Sequence, residues 1–232
     1  MKTTIFSALT FLALTCSAHA GEKLDYQLKV MGTEYGTASL YYNGSKAYGD
    51  IKSNEKWSSV FNVNNRMASQ ISKTGYPSRT EYDYEFSDSK GFYNIDYGTS
   101  RVRIAKNRNG KKKNRSFVPK RRLHDMITWV GAIREAVEKK PGKKIVSYVF
   151  SGARVYKVVC RPQKTVNLQT QIGTKRSIPY TVIITRPGNY KRELKVWFNA
   201  EGRFEPLRLV GKFAAGHAEA SIISIKRELK HN

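Results

Sequence analysis

The sequence predicts a mainly β protein: a single-domain antiparallel curved sheet, barrel or half-barrel, with one principal amphipathic helix packed in or across it. Two observations carry this prediction. Short segments of alternating apolar and polar residues, separated by turns containing Gly, Asn or Pro, run along most of the chain. Residues 123–137 depart from this alternation and repeat their apolar residues at helical spacing. No linker or internal repeat interrupts the pattern, so residues 21–232 are expected to form one domain.

Residues 1–20 are predicted to be a cleaved signal peptide. An apolar run at 5–14 is too short to span a bilayer, and Ala18-His19-Ala20 has the small-x-small pattern of a cleavage site. Cys16 lacks the small preceding residue of a lipoprotein signal, so a lipid anchor is the less favoured alternative. We therefore expect a periplasmic protein with Gly21 at its mature N-terminus, and outer-membrane association stays open.

The strands are expected to be short and regularly spaced. Asn43-Gly44 is typical of a tight hairpin turn and joins the second strand to the third. A short helical turn is predicted at 54–60. The strands are expected at 24–31, 34–43, 46–52, 61–72, 80–88, 92–97, 99–106, 111–118, 144–150, 154–161, 164–172, 178–186, 191–198, 204–211 and 214–226.

The strand at 80–88 has the clearest two-faced pattern. Aromatic residues alternate with acidic ones, so the aromatic side chains are expected to point inward and the acidic ones into solvent. The inward set is Tyr82, Tyr84 and Phe86, and the outward set is Glu81, Asp83 and Glu85. The acidic set is interpreted as a solvated surface, because a strand does not wrap around a cation as a loop does.

The helix at 123–137 is expected to bury one apolar face on the sheet. Asp125 is a plausible N-cap, and Pro141-Gly142 ends the helix. Trp129 lies beside the apolar stripe, and both Trp129 and Trp197 are expected in the core. Cys160, in a strand-like run, is interpreted as a small buried residue, since it is the one cysteine left after residue 20.

The net charge is the strongest feature of the composition. The chain carries +24, and the first 20 residues contribute one lysine, so residues 21–232 carry +23. No Asp or Glu occurs at 97–124 or at 139–192. Eleven basic residues precede the helix, on a predicted hairpin around Asn109-Gly110 and in the segment after it: Arg101, Arg103, Lys106, Arg108, Lys111, Lys112, Lys113, Arg115, Lys120, Arg121 and Arg122. We expect these residues to bind anions or a membrane; the alternative is a solvated loop that merely keeps the protein soluble.

Several motifs resemble the bacterial envelope family of domain of unknown function 3108. The spacing of Asp125 and Arg134 around MITWVGAI is similar to that family's helix, and the closing run from Leu194 resembles its last strands. Trp197, Arg203, Pro206 and Gly216 stand at the family's typical places. The resemblance implies an exported, β-rich, barrel-like or half-barrel protein without an established activity. The helix lacks the paired tyrosines of the family, and the basic hairpin is unusually heavy. The architecture is more distantly similar to periplasmic lipoprotein carriers.

No catalytic motif, metal-binding motif or cofactor motif is present, so the protein is not expected to be an enzyme. His124 beside Asp125 is interpreted as a capping or surface residue rather than half of a dyad. Two functions stay open. The first is an envelope binding protein that holds an apolar lipid or acyl ligand and contacts anionic lipid or lipopolysaccharide. The second is a scaffold with a filled core that binds an acidic protein partner. Nucleic acid is disfavoured, and a monomer is expected.

Overall fold

The structure is a computed structural model of the chain, and it describes residues 21–87, 89–213 and 216–228. The predicted signal peptide lies outside the described residues. Fifteen described strands form one antiparallel sheet. They are β1 Glu22–Val30, β2 Thr33–Tyr42, β3 Lys46–Ser53, β4 Val63–Ile71, β5 Pro77–Phe86, β6 Ser89–Tyr97, β7 Val102–Arg108, β8 Lys111–Phe117, β9 Ile145–Ser151, β10 Arg154–Pro162, β11 Val166–Thr170, β12 Gly173–Arg186, β13 Tyr190–Asn199, β14 Pro206–Phe213 and β15 Gly216–Arg227. The mainly β class and the curved sheet with a helix are therefore confirmed.

The order of strands shows that the sheet does not close. It runs β8-β7-β6-β5-β4-β3-β2-β1-β15-β14-β13-β12-β10-β9, and β11 pairs with β12. The first and last strands of the chain, β1 and β15, pair in the middle of the sheet. The two free ends are the basic hairpin β7–β8 and the strand β9, with the helix following β8 in sequence. This is an open barrel whose ends meet without a hydrogen-bonded ladder between them.

The two ends of the sheet overlap, with one end packed face to face against the other. On β9, Val149 belongs to the main core, whereas its neighbour Phe150 points to the opposite face. Phe150 packs in a second cluster with Ile95 and Ile104, which lie on the inner face of β6 and β7. The ring of Phe117 on β8 lies 5.3 Å from the ring of Phe150. The inner face of β6–β8 therefore covers the outer face of β9, and we call this contact the seam.

The part of the chain that the structure describes also contains two helices: α1, Glu55–Phe61, and α2, Met126–Lys139. Asn54 caps α1 and Asp125 caps α2, as the sequence indicates. The expectation of one buried face on α2 is wrong, because the helix is buried on nearly all sides over its first three turns. Its buried residues are Met126, Ile127, Thr128, Trp129, Val130, Gly131, Ile133, Arg134 and Val137. The helix therefore runs through the interior of the rolled sheet.

Side chains from opposite walls hydrogen-bond to α2 and to the turn after it. Tyr42 on β2 donates its hydroxyl to the carbonyl of Ile127 at 2.6 Å. The Trp129 indole donates to the hydroxyl of Ser147 on β9 at 2.8 Å. The Tyr180 hydroxyl on β12 accepts from the Gly142 amide at 3.1 Å. Each bond satisfies a polar group at the helix or its C-terminal turn, so α2 is held from several directions.

Two sequence expectations about burial are confirmed and two are wrong. Trp129 is 2 % exposed, and Cys160 is fully buried, which raises the pKa of its thiol. Trp197 is only partly buried, because β13 points Leu194, Val196 and Phe198 inward and the intervening tryptophan outward. His124 is not a surface residue or a cap: it is 6 % exposed and pairs with Val149 at the edge of β9.

Candidate anion-binding site

Asp125 anchors the first turn of α2 to the wall formed by β4 and β5. Its carboxylate accepts from the amide of Thr128 at 2.7 Å, which caps the helix. The same carboxylate accepts from the hydroxyls of Ser69 at 2.7 Å and Thr80 at 2.6 Å. Asp125 is 2 % exposed. Asp125, the first residue of the family-like helix motif, therefore has a structural role: it is a buried hydrogen-bonding link between the helix and the sheet.

Arg134, nine residues after Asp125, anchors α2 to β1. Its guanidinium pairs with Glu22 on β1, and the three side chains of Arg134, Glu22 and Glu205 are fully buried. A second guanidinium, from Arg227 on β15, pairs with both carboxylates and lies 3.2 Å from Glu22 Oε1. Arg134 also donates to the carbonyl of Arg203. We call Glu22, Arg134, Glu205 and Arg227 the buried ionic cluster.

The carboxylate of Glu205 is surrounded by donors. Asn199 donates to it from its side chain at 3.0 Å, and Arg203 from its backbone amide at 3.1 Å. Burial alone raises the pKa of this carboxyl, but its hydrogen bonds and Arg134 outweigh burial and hold the pKa below its ordinary value. A charged carboxylate with this many partners has little left to offer a ligand, so the cluster is structural.

The remaining residues of the family resemblance also have structural surroundings. The carbonyl of Pro206 accepts from the hydroxyl of Tyr26 at 3.0 Å. Gly216 has φ 121°, and a side chain there would approach the Met31 side chain to 2.7 Å. Trp197 lies between two cations, with Lys195 Nζ 5.0 Å and Arg208 Cζ 5.7 Å from its ring. These positions therefore maintain the fold rather than form a pocket.

The basic hairpin β7–β8 is a two-residue turn around Asn109 and Gly110, whose φ values of 49° and 83° are those of the predicted tight turn. Its register divides the predicted basic residues between two faces. On the inner face Lys106 pairs with Lys113, Arg108 with Lys111, and Ile104 with Arg115. We call Lys106, Arg108, Lys111, Lys113 and Arg115 the inner basic face.

The two faces of this end of the sheet differ in their acidic residues. The outer face of β5 and β6 carries Glu81, Asp83, Glu85 and Asp96, and Asp96 is the direct neighbour of Arg103. The acidic set predicted on β5 is exposed, and the aromatic set points inward as expected. The described inner-face positions of β5–β8 hold no Asp or Glu. Positive charge therefore adds up on the inner face alone.

A cleft of about 280 Å³ opens where the inner basic face meets the turn between β9 and β10. Four cations line it: Lys106, Lys113, Arg115 and Arg154. Tyr93 and Ile104 form its apolar part, and Gly152 and Ala153 form the turn at its wall. Lys106 Nζ lies 4.9 Å from the centre of the Tyr93 ring. The cleft thus lies at the rim of the seam and is bounded by both ends of the sheet.

The remaining six predicted basic residues do not belong to the inner basic face. Arg103 and Lys112 lie on the outer face, and Arg101 bonds the hydroxyl of Ser116 at 3.4 Å. In the segment before α2, Arg121 lies 5.1 Å from the ring of Tyr148 and Arg122 lies 5.4 Å from that of Tyr76. Lys120 is exposed. The structure therefore brings five of the eleven residues together on one face.

Sequence reasoning missed Tyr93 and Arg154 as members of the site. Arg154 is separated from the hairpin by the whole of α2, and only the overlap of the sheet ends brings it to the cleft. Its sequence gives one signal, since it lies in the second acid-free stretch at 139–192. Tyr93 follows from the register, because it pairs with Lys106 on the same face.

His124, immediately before Asp125 at the start of α2, is a buried titratable side chain. Burial lowers the pKa of its imidazole to about 4, although Asp125 and Glu135 oppose the shift. Its ring stacks on that of Tyr76 at 4.3 Å.

Within the described ranges no group of three or more His, Cys, Asp or Glu residues is placed to hold a metal ion. No helix there has the length and apolar character needed to cross a membrane.

The fold and this site define a class: a rolled, open antiparallel sheet with a helix through its interior and a basic cleft at its seam. The chain belongs to the family described as "Protein of unknown function (DUF3108)", which matches residues 24–223. Comparison with curated proteins finds no match.

A solved structure with a similar fold supports this architecture. The chain is similar to a β-barrel-like protein of domain of unknown function DUF1849 from Brucella abortus, with a TM-score of 0.64, 8% identity, and coverage of 92% of this chain and 100% of that one. Weaker likenesses are to a Bacteroides fragilis protein described as exported with a YmcC-like fold, and a Parabacteroides distasonis protein described as a lipoprotein. Their TM-scores are 0.34 and 0.33, with 8% and 7% identity, covering 93% of this chain and 100% and 99% of theirs.

Proposed function

We propose that this protein is an exported, non-enzymatic binding protein of the cell envelope that attaches to anionic lipid or lipopolysaccharide through its inner basic face. Export rests on the signal-peptide pattern of residues 1–20. The observation that carries the binding proposal is the contrast between the two faces of β5–β8: cations mixed with acids outside, and cations without acids inside.

The size of the cation cluster supports a surface as the partner. Lys111, Lys113 and Arg115 are exposed on β8, which pairs with β7 alone among the described strands and so forms an edge of the sheet. Each basic residue near an anionic membrane contributes about 1 kcal/mol of attraction. Five cations on one face are therefore sufficient to hold a soluble protein at such a surface, and binding is expected to weaken as salt screens the charges.

The interior of the rolled sheet favours a filled core over an enclosed acyl chain. Helix α2 occupies it, and the helix is fastened at Asp125 to β4 and β5 and at Arg134 to β1. Trp129, Tyr35, Tyr42, Tyr180 and Phe198 are among the largest fully buried side chains. An acyl ligand inside the sheet has to displace the helix and break the buried ionic cluster. We therefore assign binding to the rim and not to the interior.

Co-sedimentation with vesicles tests this function. Wild-type protein is expected to bind vesicles rich in phosphatidylglycerol or lipopolysaccharide, to release them at high salt, and to ignore phosphatidylcholine vesicles. The triple variant Lys111→Gln, Lys113→Gln, Arg115→Gln is expected to lose most of this binding.

The matched control removes the same charges from the outer face: Lys90→Gln, Arg103→Gln, Lys112→Gln. This variant should bind nearly as well as wild type. Equal loss in both triples means that net charge alone attracts the protein, and strong salt-resistant binding to an acidic protein in place of vesicles shifts the assignment to a protein partner.

Native mass spectrometry tests the filled core. Protein purified without detergent is expected to have the mass of the bare polypeptide and not to take up a fluorescent fatty acid. A stoichiometric apolar passenger overturns the assignment of binding to the rim.

A further inference from the structure

The cleft at the seam has the dimensions and chemistry of a site for a small phosphorylated group. We propose that it binds one phosphate ester carried on a sugar-sized ring, clamped between the two ends of the rolled sheet. This inference rests on the proposed function and deepens it, because it names the part of an anionic envelope component that the protein recognises.

The charges in the cleft favour a phosphate over a single carboxylate. Arg115 comes from β8 and Arg154 from the start of β10, so guanidinium groups reach the cleft from both ends of the sheet. A guanidinium binds two oxygens of one phosphate through parallel hydrogen bonds. Lys106 and Lys113 add two more cations, and no acidic residue lines the cleft to neutralise the four positive charges. A group with several charged oxygens can pair with more than one of these cations at once.

The apolar part of the cleft indicates that the phosphate does not come alone. Tyr93 and Ile104 line it, and the Tyr93 ring belongs to an aromatic group with Tyr82 at 6.1 Å and Tyr84 at 5.7 Å. Inorganic phosphate gains nothing from this surface, whereas the carbon face of a ring packs against it.

The volume limits what the ring can be. Sites for drug-sized molecules run from about 300 to 1,000 Å³, so a cleft of 280 Å³ is slightly smaller than the smallest of them. It accommodates a phosphate with one ring and excludes a whole lipid.

The turn between β9 and β10 forms one wall of the cleft. Gly152 and Ala153 make this turn with φ values of 56° and 64°. This left-handed conformation is unfavourable for alanine by about 1 kcal/mol. Two small residues therefore border the cleft on this side.

Calorimetric titration with soluble probes tests the proposal on the intact protein. Glucose 1-phosphate is expected to bind more tightly than inorganic phosphate, and glucose is expected not to bind. Arg154→Gln should weaken glucose 1-phosphate about tenfold or more, the loss of one charge-assisted hydrogen bond. The matched control Arg161→Gln, exposed on the same strand but outside the cleft, should change affinity less than twofold.

Two further pairs repeat the comparison on β7 and β8. Lys113→Gln is compared with its neighbour Lys112→Gln, and Arg115→Gln with Arg103→Gln on the outer face. The residues of all three pairs, Arg154 and Arg161 included, are exposed, so each variant is expected to melt at the wild-type temperature. Only the variants at the cleft should weaken the probe.

The source of the phosphate is decided by competition. If glucose 1-phosphate displaces the protein from lipopolysaccharide vesicles, the cleft recognises the lipid's sugar phosphates; if it binds without displacing them, the cleft serves a free sugar phosphate. Absence of binding by every soluble probe, or equal loss in Arg154→Gln and Arg161→Gln, overturns the proposal. Vesicle binding that persists in that case leaves the proposed function standing.

Discussion

The buried ionic cluster and the inner basic face use the same residue types for opposite purposes. In the cluster, Arg134 is fully buried and its guanidinium is matched to two carboxylates and a carbonyl. On the inner basic face, Arg115 is exposed on an edge strand and no acidic residue pairs with it on β7. The first arrangement fixes the helix inside the sheet, and the second leaves positive charge for a partner.

This difference teaches how to separate structural from functional cations in a chain of high charge. Desolvating a guanidinium costs several kcal/mol, so a buried arginine persists only where its partners are complete. An exposed arginine costs little and is screened by salt. Removing a cation from the cluster should therefore lower stability, and removing one from the inner basic face should lower binding.

The largest expected effect is on the cluster. Arg134→Met removes the buried guanidinium that pairs with Glu22 and Glu205 and leaves both carboxylates buried, so the free energy of unfolding is expected to fall by about 3 to 5 kcal/mol. Urea denaturation measures it. The control Arg115→Met makes the same change on the exposed face and should cost less than about 0.5 kcal/mol. Similar losses in the two variants would refute the distinction between the regions.

Two tryptophans sharpen the comparison of interior with surface. Trp129→Ala is expected to cost about 3 to 5 kcal/mol, since this side chain is 2 % exposed and fills the space between α2 and β9. Trp197→Ala should cost distinctly less, because its ring lies on the outer face between Lys195 and Arg208. Thermal and urea unfolding of both variants give the order. A larger loss for Trp197 would mean that the faces of β13 are assigned the wrong way round.

The pH dependence of stability tests the burial of His124. Its pKa is lowered by burial from 6.5 to about 4, so below pH 6.5 the unfolded chain binds a proton more readily than the folded one. Stability is therefore lost as the pH falls from 6.5 towards 4, by up to about 3 kcal/mol in total. His124→Phe keeps a ring beside Tyr76 and should flatten this part of the curve. The stability of wild type and His124→Phe is compared above about pH 5, because protonation of carboxyl groups such as Glu205, whose pKa is lowered, also affects stability at more acidic pH. An unchanged slope would show that the imidazole titrates normally.

Much of the fold could be predicted because its signals are local. The cap at Asp125, the hairpin turn at Asn109-Gly110 and the two faces of β5 depend on residues a few positions apart. The prediction that Trp197 lies in the core is wrong, although the alternation of Leu194, Val196 and Phe198 indicates that the intervening tryptophan points outward. The prediction of one buried face on α2 follows from its apolar stripe, and it is wrong because the polar side chains of Thr128 and Arg134 are buried as well.

The rest depends on contacts between distant parts of the chain. Arg134 is buried because Glu22 and Glu205 converge on it, and Arg154 reaches the cleft because the sheet ends overlap. The division of the seven basic residues of β7 and β8 between two faces was open to prediction, since the tight turn fixes which residues pair. The absence of acids from the inner face needed the neighbouring strands as well.

The most direct test of the distinction between structural and binding charges measures two quantities on one preparation of the triple variant Lys111→Gln, Lys113→Gln, Arg115→Gln. These are its binding to lipopolysaccharide vesicles at low salt and its free energy of unfolding in urea. The structure predicts that binding is largely lost while the unfolding free energy stays within about 1 kcal/mol of wild type. A loss of stability that parallels the loss of binding, or retained binding with stability intact, would contradict it.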